Sequence, residues 1–140
     1  MDPFNLARFR DAQADVFAHA RDELLAGAKR SHWMWFVFPQ LHGLGRSETA
    51  RFYGIASYQD AQAYLADPLL GPRLIDMCGI VAGSPVPSAR ALLGSPDDLK
   101  LRSCVTLFAA LPDAPPVFQA VLDRYFSGEP DPATLALLTN

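Results

Sequence analysis

The sequence predicts an all-α fold: a compact, multihelical single domain of about seven or eight short-to-medium helices. Apolar residues recur three or four positions apart from one end of the chain to the other. Small capping residues stand before these runs, several followed directly by proline. Strand-type alternation is nearly absent. At 140 residues the chain has the size of one domain, and half of it is apolar against 19% charged, a composition that encloses a core. Residues 1–140 therefore read as one helical unit joined by short turns, with no linker, low-complexity tract or internal repeat.

Leu6, Phe9, Gln13, Val16, Phe17, Ala20, Leu24 and Leu25 trace one helical face that Gly27 terminates, with a break near Asp15. Ser47 and Ser57 are N-cap candidates, Ser57 with Asp60 three residues on, and Gly54 closes the helix between them. Asp67-Pro68, Ser95-Pro96 and Asp131-Pro132 each place a cap before a proline at the first helical position. The first of these opens a helix bearing Leu70, Leu74, Met77, Cys78 and Val81 that ends near Gly83; a short helix over Ala89–Leu93 follows. From Pro96 a helix carries Leu99, Ser103, Thr106, Leu107 and Ala110 to Pro112. Pro115 and Pro116 open another, with Val117, Val121, Leu122 and Tyr125, that Gly128 stops. Residues 31–38 are ambiguous by periodicity, fitting a buried strand or a buried helix; few are β-branched, which favours helix.

Composition excludes several function classes. The longest apolar run, residues 33–38, falls far short of the roughly 18 residues of a membrane span. Asp2, Arg8, Arg10, Asp11 and Asp15 interrupt any secretory signal, so a cytoplasmic location is expected, with no membrane partner. Cys78 and Cys104 lie far apart in apolar helical contexts and read as reduced packing residues. The net charge of −3 argues against a DNA-coating protein. Residues 28–51 are nevertheless locally basic: Lys29, Arg30, Arg46 and Arg51 stand against the single acid Glu48.

That basic stretch is the candidate site. Lys29, Arg30 and Arg46 supply fixed positive charge. Gly43 and Gly45 would let backbone N–H groups approach an anion ahead of a helix capped by Ser47. Trp33 and Trp35 offer flat faces for a ring, Gln40 a polar edge, and His32 a group that titrates near neutrality. Together they point to binding, or hydrolysis, of a small phosphate-bearing or nucleotide-like ligand. Each also has a plainer reading: buried tryptophans, a structural histidine, and a glycine pair that makes a tight turn. His19 and His42 complete the histidines, no spacing among the three suggests a metal, and no cofactor is implied. Asp97 and Asp98 read as first-turn acids favouring the helix dipole. Lys100 and Arg102 read as a solvated face that joins the basic surface only if the fold brings it near.

The run Lys29-Arg30-Ser31-His32-Trp33-Met34-Trp35-Phe36 through Phe38-Pro39-Gln40, with Gly43-Leu44-Gly45, Tyr64-Leu65 and Pro68, Asp98-Leu99-Lys100-Leu101 and Thr106-Leu107-Phe108, resembles the bacterial family called domain of unknown function 1810. The resemblance spans nearly the whole chain and implies an all-helical fold, with no activity to transfer to particular residues. Proteins of this family often carry the label calpastatin. An inhibitor of that kind resembles an extended, disordered chain, whereas this composition is that of a packed domain, which rules the label out physically. The competing functional expectation is a protein-interaction module without chemistry, in which Trp33, Trp35 and Phe36 form an exposed patch for a partner or a homodimer.

Overall fold

The computed structural model describes residues 2–139. Among the described residues ten helices run in chain order: α1 (Ala7–Gln13), α2 (Phe17–Leu25), α3 (Met34–Val37), α4 (Glu48–Phe52), α5 (Tyr58–Ala66), α6 (Leu70–Ala82), α7 (Ala89–Leu93), α8 (Asp97–Ala109), α9 (Val117–Tyr125) and α10 (Pro132–Thr139). Seven have at least seven residues; α3, α4 and α7 have only four or five, so the longer helices match the expected count. Among the described residues the only β-type pairing is an isolated parallel bridge between Leu41 and Ile55, closed by His42 N–H to Ile55 O (2.8 Å) and Ile55 N–H to Gln40 O (2.9 Å). No helix among them is long and apolar enough to cross a membrane.

Four helix starts follow the side-chain chemistry of their caps. Ser47, Ser57 and Ser88 each accept the N–H three residues on, from Ala50, Asp60 and Ala91. Asp131 takes the N–H and the hydroxyl of Thr134 on Oδ2, opening α10 with Pro132 as its first residue. Asp67 accepts from Leu69 and Leu70, and regular α6 begins only at Leu70, two residues past Pro68. Ser95-Pro96 departs from expectation. Its peptide bond is cis, Pro96 itself is the N-cap of α8, and no side chain caps that end.

The ambiguous stretch at 31–38 resolves as a single helical turn, α3, flanked by irregular backbone. Its apolar run is buried where it must be, with Trp33, Met34, Val37 and Phe38 in the core. The break near Asp15 separates α1 from α2.

One hydrophobic cluster joins the helices. The long pair α6 and α8 form its centre: α6 packs on α9, α5 and α2, and α8 on α9, α7 and α10. An aromatic chain runs through it, from Phe9 to Tyr64 edge-on (5.0 Å), Tyr64 to Phe108 (5.5 Å) and Phe108 to Phe118 (5.6 Å). Gln13, fully buried, donates to Tyr64 Oη (3.2 Å) and Phe36 O (2.6 Å) and accepts from Arg73, so the polar group is satisfied inside the core and ties α1 to α3, α5 and α6. Cys78 and Cys104 are buried free thiols; desolvation pushes both away from the thiolate and keeps them unreactive.

Candidate ligand-binding site

Residues 29–35 are shaped by one buried carboxylate. Glu23 on α2 is 7% exposed and accepts on Oε1 from the backbone N–H groups of Arg30 (2.7 Å) and Ser31 (3.1 Å) and from the Trp33 indole (2.9 Å). Oε2 takes the Ser31 hydroxyl and lies 2.9 Å from His19 Nε2. Burial works to raise the Glu23 pKa, but the Ser31 hydroxyl, the Arg30 N–H and the Trp33 indole outweigh it and hold it near 2. Trp33 is thus fully enclosed, its ring in the core and its N–H on Glu23.

The same stretch delivers Lys29 to α8. Its side chain is 7% exposed, and the ammonium contacts Asp97 Oδ2 at 2.8 Å, donates to Ser31 O at 2.6 Å, and lies 5.0 Å from the Trp33 ring centroid. Asp97 presents its other oxygen to Lys100, 3.7 Å away and one turn on. Lys100 in turn lies over the half-buried ring of Trp35, 4.6 Å from the centroid. Two lysines therefore share one carboxylate, leaving an excess positive charge at Lys100.

Lys100 stands in the wall between two adjoining hollows and shares that position with Gln40. The smaller, about 10 Å³, is lined by Trp35, Phe38, Ala50 and Tyr53. The larger, about 290 Å³, runs past Leu44, Gly45, Leu99, Ser103 and Asp131. Asp131 adds a negative charge to that wall, but its Oδ2 is engaged by Thr134 and by the Ser103 hydroxyl (3.4 Å).

The turn at 43–45 is built by its glycines for packing. Gly43 has φ +104°, a conformation that side-chain-bearing residues avoid, and a Cβ on Gly45 would stand 2.4 Å from Ala50 Cβ. This contact brings the loop against α4. Gly45→Ala is expected to lower stability by about 1–3 kcal/mol, as overpacking does, read as a reduced urea midpoint.

A family model described as protein of unknown function (DUF1810) matches residues 3–138. The chain belongs to the DUF1810 family. Its structure is similar to the crystal structure of the conserved hypothetical protein Rv1873 from Mycobacterium tuberculosis at 1.38 Å, with 52% identity, 99% of each chain covered and a TM-score of 0.97. No curated protein matches the chain.

Of the residues that the sequence singles out in this DUF1810 chain, Trp35, Gln40 and Gly45 line the hollows, and Lys29 stands behind them through Asp97. Arg30, His32, Arg46 and Ser47 are exposed and line neither hollow; Ser47 serves as the cap of α4. That helix has only five residues, and its first turn is closed by the Ser47 cap on the Ala50 N–H. Trp33 is too deeply buried to belong to a surface patch, while Trp35 and Phe36 are half-buried. From sequence Asp97 reads as a dipole acid, Lys100 as a solvated face and Asp131 as a helix cap, and Tyr53 is not singled out. The segment Asp98-Leu99-Lys100-Leu101, already part of the family resemblance, was the available signal for Lys100.

Proposed function

We propose that this protein binds a small anionic, ring-bearing ligand of the nucleotide kind in the groove at Lys100. What supports this most is the Lys29–Asp97–Lys100 arrangement, in which one carboxylate serves two ammonium groups and the outer one faces a concave surface with Gln40 and Trp35 beside it. The ligand's anion takes Lys100 Nζ in a charge-assisted hydrogen bond, the Gln40 carboxamide meets a polar edge, and Leu44 and Leu99 in the larger hollow give apolar surface for the ring. The larger hollow, at about 290 Å³, sits at the lower end of the range for small-molecule sites. Binding is favoured over hydrolysis because neither histidine of the basic stretch, His32 or His42, lines the groove.

Adenosine monophosphate and diphosphate are suitable probes in a thermal-unfolding titration. Saturable stabilisation of the wild-type chain is expected, approaching about 2.7 kcal/mol at a hundredfold excess over Kd. Lys100→Ala should weaken binding about tenfold or more, the loss of one hydrogen bond to a charged group, with little change in the unliganded midpoint. If neither probe shifts the wild-type midpoint, or Lys100→Ala responds as wild type does, the reading is wrong.

A further inference from the structure

The larger hollow of the Lys100 groove carries a second charge, for which an anion on Lys100 gives no role. Asp131 lines the hollow together with Lys100, yet among the described residues the two form no ion pair; Lys100 lies instead 3.7 Å from Asp97. Two contacts hold Asp131 to α8. Its N–H donates to Thr106 Oγ1 at 2.8 Å, and its Oδ2 lies 3.4 Å from the Ser103 hydroxyl. Ser103 and Thr106 follow Lys100 along α8 in steps of three, so the three form one row, and the carboxylate rests beside that row about one turn past the lysine.

The two oxygens of Asp131 are used unequally. Oδ2 accepts from the Thr134 N–H (3.0 Å) and the Thr134 hydroxyl (2.6 Å) as well as facing Ser103. Oδ1 accepts from no group among the described residues. It is not sealed in either: Asp131 is half-buried, and the enclosed carboxylate oxygens without a partner among those residues belong to Asp60 and Asp98. Capping of α10 thus explains Oδ2 alone and leaves Oδ1 an open acceptor on a residue of the hollow's wall.

A simple anion would gain from Lys100 while meeting the negative charge of Asp131. A ligand that is anionic at one end and donates an N–H at the other satisfies both groups. Leu44, Leu99 and Ala133 add apolar wall to the same hollow, with Leu99 left 58% exposed, surface of the kind that a flat ring covers. Resting on the reading of the Lys100 groove as the ligand site, we infer that Asp131 sets its specificity: Oδ1 accepts an N–H from the exocyclic amino group of a nucleotide's base. A base with only hydrogen at that position leaves the carboxylate oxygen stripped of water and unpaired.

Isothermal titration of the full chain with adenosine monophosphate, and separately with purine riboside monophosphate, tests this. The two share phosphate, sugar and ring; the second has hydrogen in place of the amino group. The wild type is expected to bind adenosine monophosphate about tenfold or more tightly than its partner compound. Asp131→Asn keeps an oxygen for both Thr134 donors, which preserves the cap, and sets an NH2 where Oδ1 stood, turning acceptor into donor. It should weaken adenosine monophosphate binding about tenfold or more and bind purine riboside monophosphate at least as well as the wild type does. Equal affinity of the wild type for both nucleotides, or undiminished adenosine monophosphate binding by Asp131→Asn, would overturn the role of Asp131; Lys100→Ala still weakens both nucleotides in that case if the groove reading holds. Binding of neither nucleotide by the wild type would overturn the groove reading and this inference with it. Should Asp131→Asn fail to fold, the paired nucleotides on the wild type decide.

Discussion

Glu23→Ala is expected to destabilise the protein by about 3–5 kcal/mol, because it removes one acceptor from several donors that have no other partner in a water-poor setting. The Trp33 indole is the most exposed to this loss: the ring is fully buried and its N–H has no partner besides Glu23 Oε1. The Arg30 and Ser31 N–H groups lose the same oxygen, and the Ser31 hydroxyl the other. Glu23→Gln, which keeps one acceptor but sets an NH2 among donors, should fall about 2 kcal/mol below wild type.

The same carboxylate makes stability depend on pH in a defined window. Its folded pKa of about 2 lies below the ordinary 4.5, so the folded state holds the ionised form more strongly than the unfolded chain does. The contribution is therefore fully present above about pH 4.5 and is lost as pH falls from there toward 2, amounting to about 3 kcal/mol. Urea unfolding at pH 7 and pH 3 should show about 2 kcal/mol of this loss in the wild type, since pH 3 is still above the folded pKa, and a much flatter response in Glu23→Gln. A pH 7 loss under about 1 kcal/mol for Glu23→Ala would mean that residues 30–33 are held by packing alone.

The sequence disclosed the helices better than the site, for a physical reason. Helix starts at Ser47, Ser57, Ser88 and Asp131 are decided within four residues, by a side-chain oxygen and the N–H groups just beyond it. Such signals are visible in a single sequence. The cis bond at Ser95-Pro96 obeys no such local rule, and the pattern that places a cap before proline led there to the wrong geometry. Site residues are brought together across the chain. The partner of Lys29 is 68 positions away at Asp97, and Trp35 meets Lys100 only because α8 crosses the 29–40 segment. Clustering of positive charge over 28–51 points to a stretch that borders the Lys100 groove, but it could not separate Lys29, whose charge is matched, from Arg30 and Arg46, which stay at the surface.

Lys29→Met is expected to cost about 3 kcal/mol, since it preserves the apolar stem but strips Asp97 of its closer counter-ion in a mostly buried position. Lys100, 3.7 Å from the same carboxylate and 22% exposed, compensates only in part. Adding Asp97→Asn to Lys29→Met should recover much of the loss, so that the double variant is more stable than the sum of the single changes by about 1–3 kcal/mol. Lys100→Met alone should lie within about 1 kcal/mol of wild type, because its ion pair is longer and wetter. This contrast separates a lysine that holds α8 against the 29–33 stretch from a lysine free to meet a ligand. If Lys29→Met were as stable as wild type and failed instead to respond to adenosine diphosphate, the assignment would reverse: Lys29 would be the ligand's cation and Lys100 its support.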